Sequence, residues 1–288
     1  MLCYVGKVSL CCYLVTAVIF SVLFLNGVTL QFLRNIWGGL IIGPALYFVV
    51  VNLLIKNIYR KNFQDSYQVA VRACFLGFAF ALGIYVHLLA PCNIKVFGWY
   101  MGVMATFHYS EFLVMAIIQP KLVTVNSFVI NHSMQYTIAA VSSWIEFAIE
   151  TYFFPDLKTM YWFSLLGLTM CILGDLFRKA AMLTAKSNFN HLVVCEKSED
   201  HVLVTHGVYA LCRHPSYVGW FYWSIGTQII LVNPFCIAAY TIVSWLFFKE
   251  RILIEEITLL NFFGVQYCEY QERVGTGIPF VQGYLCDL

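Results

Sequence analysis

Long apolar runs separated by short polar stretches dominate this chain, and the runs have the length of membrane-crossing helices. A helix that spans a bilayer needs ~20 mostly apolar residues. Runs of that kind fall at 8–30, 36–55, 69–90, 96–119, 134–154 and 160–177. Two shorter ones, 217–232 and 235–248, are joined by the turn pair Asn233-Pro234 and read as a tight helical hairpin. The pattern predicts an all-α, polytopic integral membrane protein with about eight transmembrane helices. Residues 178–216 interrupt it with Lys, Glu, Asp, Asn and His and do not read as a span, while 249–274 reads as a helix of mixed charge ended by Gly275-Thr276-Gly277-Ile278-Pro279. Two regions follow: scaffold helices over 1–177 and a polar, chemistry-bearing region over 178–288.

Composition agrees, with 61% hydrophobic and 11% charged residues and a mean hydropathy of +0.76. A soluble fold cannot hide that much apolar surface. Charge placement sets orientation. With a cytosolic N-terminus and eight alternating spans, only Arg34, Lys95 and Lys158 of the 17 basic residues fall on the far side. Both termini are therefore expected in the cytosol, although six spans with the same C-terminal half satisfy the rule nearly as well. The first run is too long for a signal peptide and reads as a retained span. No basic block suggests nucleic acid. The 11 cysteines fall mostly in spans, without metal-ligand spacing or a C-x-x-C, and read as small hydrophobes rather than a disulfide framework or a metal site. Cys286 stands third from the end, where a prenylation signal needs it fourth, so the chain is not expected to be prenylated by that route.

Charged groups inside spans are costly and point to function by default. His108, Glu111, Glu146 and Glu150 are the exceptions in the scaffold. Glu150, four residues before Phe154-Pro155, reads as structural, and His108 fits a satisfied core histidine equally well. The string Arg213-His214-Pro215-Ser216-Tyr217-Val218-Gly219-Trp220 is more informative. Pro215 keeps His214 out of helical geometry and suits the first turn of a helix. Ser216 and Tyr217 then open a span with free N–H groups, a suitable place for a ligand with anionic groups. Arg213 on its own reads as an interfacial anchor. Arg251 and Glu255 share a helix face, either as a local ion pair or as a fork for a carboxylate beside an acceptor for hydroxyl or ammonium groups. Glu256 points elsewhere and reads as structural. No P-loop, dinucleotide fingerprint, H-E-x-x-H or G-x-S-x-G is present.

The octapeptide at 213–220, the pair Glu255-Glu256 and Phe263-Gly264-x-x-Tyr267-x-x-Tyr270-x-x-Arg273-Val274 together resemble the isoprenylcysteine carboxyl methyltransferases. Asn188-Phe189-Asn190-His191 and Gly277-Ile278-Pro279-Phe280 are similar to that family too, so the likeness is dense over 186–288. It implies an enzyme of the endoplasmic reticulum membrane that methylates the C-terminal carboxylate of prenylated cysteine in CaaX-processed proteins of the small GTPase type. The methyl donor it implies is S-adenosyl-L-methionine, with direct in-line transfer and no metal. Residues 178–288 become the cytosol-facing catalytic and cofactor-binding region. By the family's pattern the cofactor touches Val194, His201, Val202, Leu203, Val204, Tyr209, His214, Pro215, Ser216, Tyr217 and Glu255. Arg251 holds the substrate carboxylate, and Arg251 and Glu255 carry the catalysis. Contacts at Val194 and Val202 use backbone or packing. The prenyl tail is expected to enter between helices past aromatics such as Phe221, Tyr222, Trp223 and Trp245, each of which reads by itself as ordinary packing. A sterol reductase or phospholipid methyltransferase shares a related His-Pro motif and stays open as an alternative. A transporter is disfavoured because the chain has no internal repeat.

Overall fold

The computed structural model describes residues 2–36, 38–59, 64–130, 133–193, 196–197 and 201–285, and among them forms ten α-helices and no strand. In chain order these are α1 (Tyr4–Phe24), α2 (Gly27–Asn35), α3 (Gly39–Tyr59), α4 (Gln64–Leu89), α5 (Lys95–Ile118), α6 (Met134–Phe153), α7 (Tyr161–Ala185), α8 (Pro215–Leu231), α9 (Pro234–Phe263) and α10 (Val265–Arg273). Four stretches among the described residues are long and apolar enough to cross a membrane: Tyr4–Phe24, Gly39–Tyr59, Ser66–Leu89 and Lys95–Ile118. They match the first four predicted runs; the later helices are shorter or more polar.

Three boundaries differ from the sequence pattern. The run 8–30 is two elements, because α1 stops at Phe24 and the Asn26 side chain caps α2, accepting from Val28 N–H at 2.9 Å. Helix α7 continues past 177 to Ala185, so Arg178 and Lys179 sit on a packed helix rather than in a loop. The second arm of the hairpin and the charged helix after it are one element of 30 residues, α9, which ends at Gly264 with φ 51° before α10 begins. Hydrophobic periodicity is blind to such joins, because a helix passing from apolar to polar surroundings changes composition but not geometry. Arg251, Glu255 and Glu256 are consequently carried on the same rod as the hairpin arm.

The most extensive helix pairing, α7 on α8, rests on glycine. A Cβ on Gly174 would lie 2.6 Å from the Gly219 carbonyl oxygen, and one on Gly219 would lie 2.5 Å from that of Gly174 and 2.7 Å from Arg178 N. Gly167 and Gly226, two turns further along, face each other slightly less closely, at 2.8 and 3.0 Å. In lipid, where helices gain little from hiding apolar surface, small residues let backbones touch and dispersion supply the attraction. Gly219→Leu is therefore expected to cost about 1–3 kcal/mol by overpacking. It should lower the melting temperature of the detergent-solubilised protein and displace the head of α8. Gly102→Ala, with open space around it, should do neither.

The hairpin apex is held by two carboxylates, Glu150, read as structural, and Glu146, which the sequence left open. Lys158, fully buried, donates to Glu150 Oε2 (2.6 Å), the carbonyls of Leu231 (2.8 Å) and Val232 (2.9 Å), and Asn233 Oδ1 (3.0 Å). It thereby satisfies the carbonyl end of α8 with a cation, as the helix dipole favours. Glu146 accepts from Phe235 N–H and Cys236 N–H, both at 2.8 Å, and caps the start of α9. His108 is a satisfied core histidine: Nδ1 bonds to the Phe128 carbonyl (3.0 Å) and Nε2 to the Tyr136 hydroxyl (2.9 Å). Among the described residues eight cysteines are free, in keeping with their reading as small hydrophobes. Cys268 is disulfide-bonded and is an exception to that reading.

Candidate active site

Helix α8 begins at Pro215, with His214 as its non-helical cap at φ −122° and ψ 56°. Proline costs nothing there, since a first-turn N–H has no partner in the helix. His214 turns inward: its ring lies parallel to that of Tyr217 at 5.6 Å, and Nε2 donates to Glu256 Oε1 at 3.1 Å. Tyr217 N–H is not free as expected; it donates back to the His214 carbonyl at 3.0 Å, tightening the first turn. Ser216 Oγ is taken by Arg178 Nη1 at 2.5 Å.

Arg213 departs from its reading as an interfacial anchor. It is buried, donating to Glu256 Oε1 (2.8 Å), to the carbonyls of Gln271 (3.2 Å) and Gln282 (3.0 Å), and to that of Val274. Glu256 is the counterpart of this knot. Besides Arg213 and His214 it accepts from Tyr267 Oη (3.3 Å) and Tyr284 N–H (2.7 Å), and a Cβ on Gly283 would fall 1.8 Å from its Oε2. Glu256 lies beyond the apolar stretch 235–248. Burial alone would raise its carboxyl, but the hydrogen bond and charge of His214, with those of Arg213, outweigh that and hold it below the usual carboxylate range. The structural role read for Glu256 is what it performs.

One residue earlier, Glu255 faces the other way. The Tyr217 hydroxyl donates to Glu255 and accepts from Arg251 Nε at 3.3 Å, while Arg251 Nη2 donates to the His191 carbonyl at 2.7 Å. Arg251 and Glu255 share a face but meet through Tyr217, with no direct ion pair between them among the described residues. Beside them opens a cleft of about 90 Å³, walled by residues among 188–193 and by His201 and Val202 on one side, and by α8 and α9 on the other. Asn188, Asn190, His201, Tyr217 and Glu255 supply its polar groups; Leu192, Leu259, Phe262 and Phe263 make it partly apolar. Amides, a phenol and a carboxylate over an apolar wall suit a ligand that joins hydroxyl and ammonium groups to a flat base.

The structure gathers some of the expected cofactor residues here and leaves others aside. His201, Val202, Tyr217 and Glu255 line the cleft, and His201 is tilted against Phe262 at 5.9 Å. The Val202 N–H is engaged by Asn188 Oδ1 at 2.9 Å. Leu203 and Val204 follow, half-buried, and do not line it. Tyr209 stands behind, packed near Met182, its carbonyl accepting from Tyr270 Oη at 2.6 Å. Burial, with the charge of Glu255, pushes its phenol up. His214, Pro215 and Ser216 form the cap and first turn of α8 and do not line the cleft, and Val194 lies outside the described residues. The aromatic set named for the prenyl tail divides. Phe221 packs on Phe248, Trp245 Nε1 donates to the Pro279 carbonyl (2.8 Å), and Trp223 stacks on Phe107 at 3.8 Å beside a separate apolar cavity of about 340 Å³. Asn188 and Asn190 had a family likeness but no assigned role. Glu111 and Arg178, both buried, reach the site from helices whose polar residues carried no such assignment.

The packed, largely apolar helices define a polytopic membrane protein, and its relatives make it a methyltransferase. The comparisons with known proteins make this specific: the isoprenylcysteine carboxyl methyltransferase family model matches residues 166–261. The chain is 60% identical to the protein-S-isoprenylcysteine O-methyltransferase of Tribolium castaneum, over 99% of both chains. It is 52% identical to the Homo sapiens protein of that name over 85% of both. The Saccharomyces cerevisiae protein is 39% identical over 77% of this chain and 94% of its own. A solved structure of a eukaryotic intramembrane Ras methyltransferase superimposes with a TM-score of 0.91 at 58% identity, covering 98% of this chain and 100% of that one. The chain belongs to the isoprenylcysteine carboxyl methyltransferase family.

Proposed function

We propose that this protein methylates the C-terminal carboxylate of prenylated cysteine on CaaX-processed proteins, small GTPases among them, in the endoplasmic reticulum membrane. Both termini would lie in the cytosol, residues 1–177 would serve as scaffold, and 178–288 would form the catalytic and cofactor-binding region with its hairpin and C-terminal helix. S-adenosyl-L-methionine bound in the cleft would supply a sulfonium methyl group for direct in-line transfer to the carboxylate. The observation that carries this reading is the convergence of Tyr217, Glu255 and Arg251 at the edge of a cleft between a polar segment and two apolar helices.

The residues have separable tasks. An α-carboxyl group has a pKa of ~3.3–3.7 and is already ionised, so no general base is required. Arg251, on a rigid helix and oriented through Nε and Nη2, offers a planar fork that holds a carboxylate in one direction. Glu255 would accept from cofactor hydroxyl or ammonium groups, and the face of Tyr217 suits a sulfonium. Asn188 and Asn190 add amides. Leu259, Phe262 and Phe263 exclude water from the reacting atoms. No metal is required by this chemistry.

The test is retention of S-adenosylhomocysteine together with transfer from labelled S-adenosylmethionine to N-acetyl-S-farnesylcysteine by purified protein. Wild type should bind the first and make a base-labile ester of the second. Glu255→Gln should weaken S-adenosylhomocysteine binding by roughly tenfold or more, the scale of a lost charge-assisted hydrogen bond. A folded wild type that forms no ester would overturn the reading.

A further inference from the structure

Helix α5 and its C-cap residue Gln119 send two side chains toward the rim of the cleft, and both end on the segment 187–191. Gln119 Nε2 donates to the carbonyls of Ser187 (2.9 Å) and Phe189 (2.6 Å). Glu111, with no solvent exposure, accepts from His191 Nε2 at 2.8 Å. Glu111 is also gripped by Arg178 through Nε (2.7 Å) and Nη2 (2.8 Å), and by Lys179, which pairs in turn with Asp175 at 2.9 Å. Two carboxylates thus already face two cations, and charge balance does not require His191. What His191 gains from Glu111 is a fixed place.

That place matters because of the other side of the same residue. The His191 carbonyl accepts from Arg251 Nη2 at 2.7 Å. Arg251 stands four residues before Glu255 on one helix, a spacing at which opposite charges pair readily. A guanidinium collapsed onto Glu255 would be lost to a substrate carboxylate and would occupy the group meant for the cofactor. The fork is instead held between the Tyr217 hydroxyl and the His191 carbonyl.

We propose that Glu111 and His191 are positioning residues: the scaffold helix α5, acting through the backbone of His191, holds Arg251 off Glu255 and keeps its fork preformed for the substrate carboxylate. This rests on the assignment of Arg251 to that carboxylate. It extends the working site into residues 1–177 and predicts an effect on the substrate rather than on the cofactor. The cofactor side of the segment keeps its own anchors, Gln119 on Ser187 and Phe189, and Asn188 on Val202.

The test uses His191 variants, because Glu111→Gln would leave Arg178 and Lys179 uncompensated and could fail to fold. His191→Ala should raise KM for N-acetyl-S-farnesylcysteine by about tenfold, the scale of a modest misplacement. The Kd for S-adenosylhomocysteine should move by less than about threefold. His191→Gln, which keeps an N–H donor for Glu111, should recover most of the loss. In an Arg251→Ala background the His191→Ala change should add less than about twofold, since residues acting through one group are not additive. Equal weakening of both ligands, an unchanged KM, or full additivity with Arg251→Ala would overturn the inference. If Arg251→Ala alone leaves methylation untouched, the assignment of Arg251 fails first, and this inference falls with it.

Discussion

Arg251→Ala should lower kcat/KM for N-acetyl-S-farnesylcysteine by roughly 10²-fold or more, while the protein remains folded and binds S-adenosylhomocysteine. Removing one partner of a desolvated, hydrogen-bonded charge pair costs about 2–5 kcal/mol, and 1.4 kcal/mol is a factor of ten. The side chain is half-buried at the rim, so its loss leaves no large void. Arg251→Lys should recover little. Arg251 uses Nε for Tyr217 and Nη2 for the His191 carbonyl, and a fork so held still has an edge to offer. An ammonium is a point donor and cannot span all three. Initial rates at saturating cofactor, set beside a binding isotherm for S-adenosylhomocysteine, read both halves of this result. A variant retaining most of the wild-type rate would remove Arg251 from the site.

Glu256→Ala should be the most destabilising single change in the C-terminal half. Glu256 is inaccessible to solvent and collects Arg213, His214, Tyr267 and the Tyr284 N–H. Breaking a buried pair leaves its cation uncompensated, at a cost of about 3–5 kcal/mol. The loss should appear as a lower melting temperature and as early proteolysis beyond residue 275. Weaker cofactor binding should follow, because His214 and the head of α8 lose their anchor. The same carboxylate gives a pH signature. Its folded pKa lies below the unfolded value, so its contribution is complete above the unfolded value of ~4.3 and declines as pH falls through the folded one. Acid should therefore loosen the wild type through this knot, whereas Glu256→Gln should lose that part of the pH dependence. Equal acid sensitivity in the two proteins would remove Glu256 as its source.

Much of the site is legible in the chain itself. Pro215 suits the first turn of a helix, and α8 begins there. Their spacing places Arg251 and Glu255 on one face, and they share it. Whether they pair with each other is not legible, because the arbiter is the Tyr217 hydroxyl, brought in from another helix. Arg213 shows the same limit. A lone arginine at the edge of an apolar run resembles a headgroup anchor until the C-terminal segment folds over it and supplies Glu256 and three carbonyls.

Local pattern along the chain suffices for the apolar helices, the membrane setting, the polar break after α7 and the family resemblance. These follow from short-range rules: a backbone in lipid must satisfy its own hydrogen bonds, so apolar runs of sufficient length become helices. Other features exist only once the helices have packed. The second arm of the hairpin runs on as the rod that carries Arg251 and Glu255, Gly174 meets Gly219, and Glu111 reaches His191, 80 residues away in the chain. Buried charges and backbone contacts of that kind are chosen by partners distant in sequence, and composition and periodicity hold no record of who those partners are.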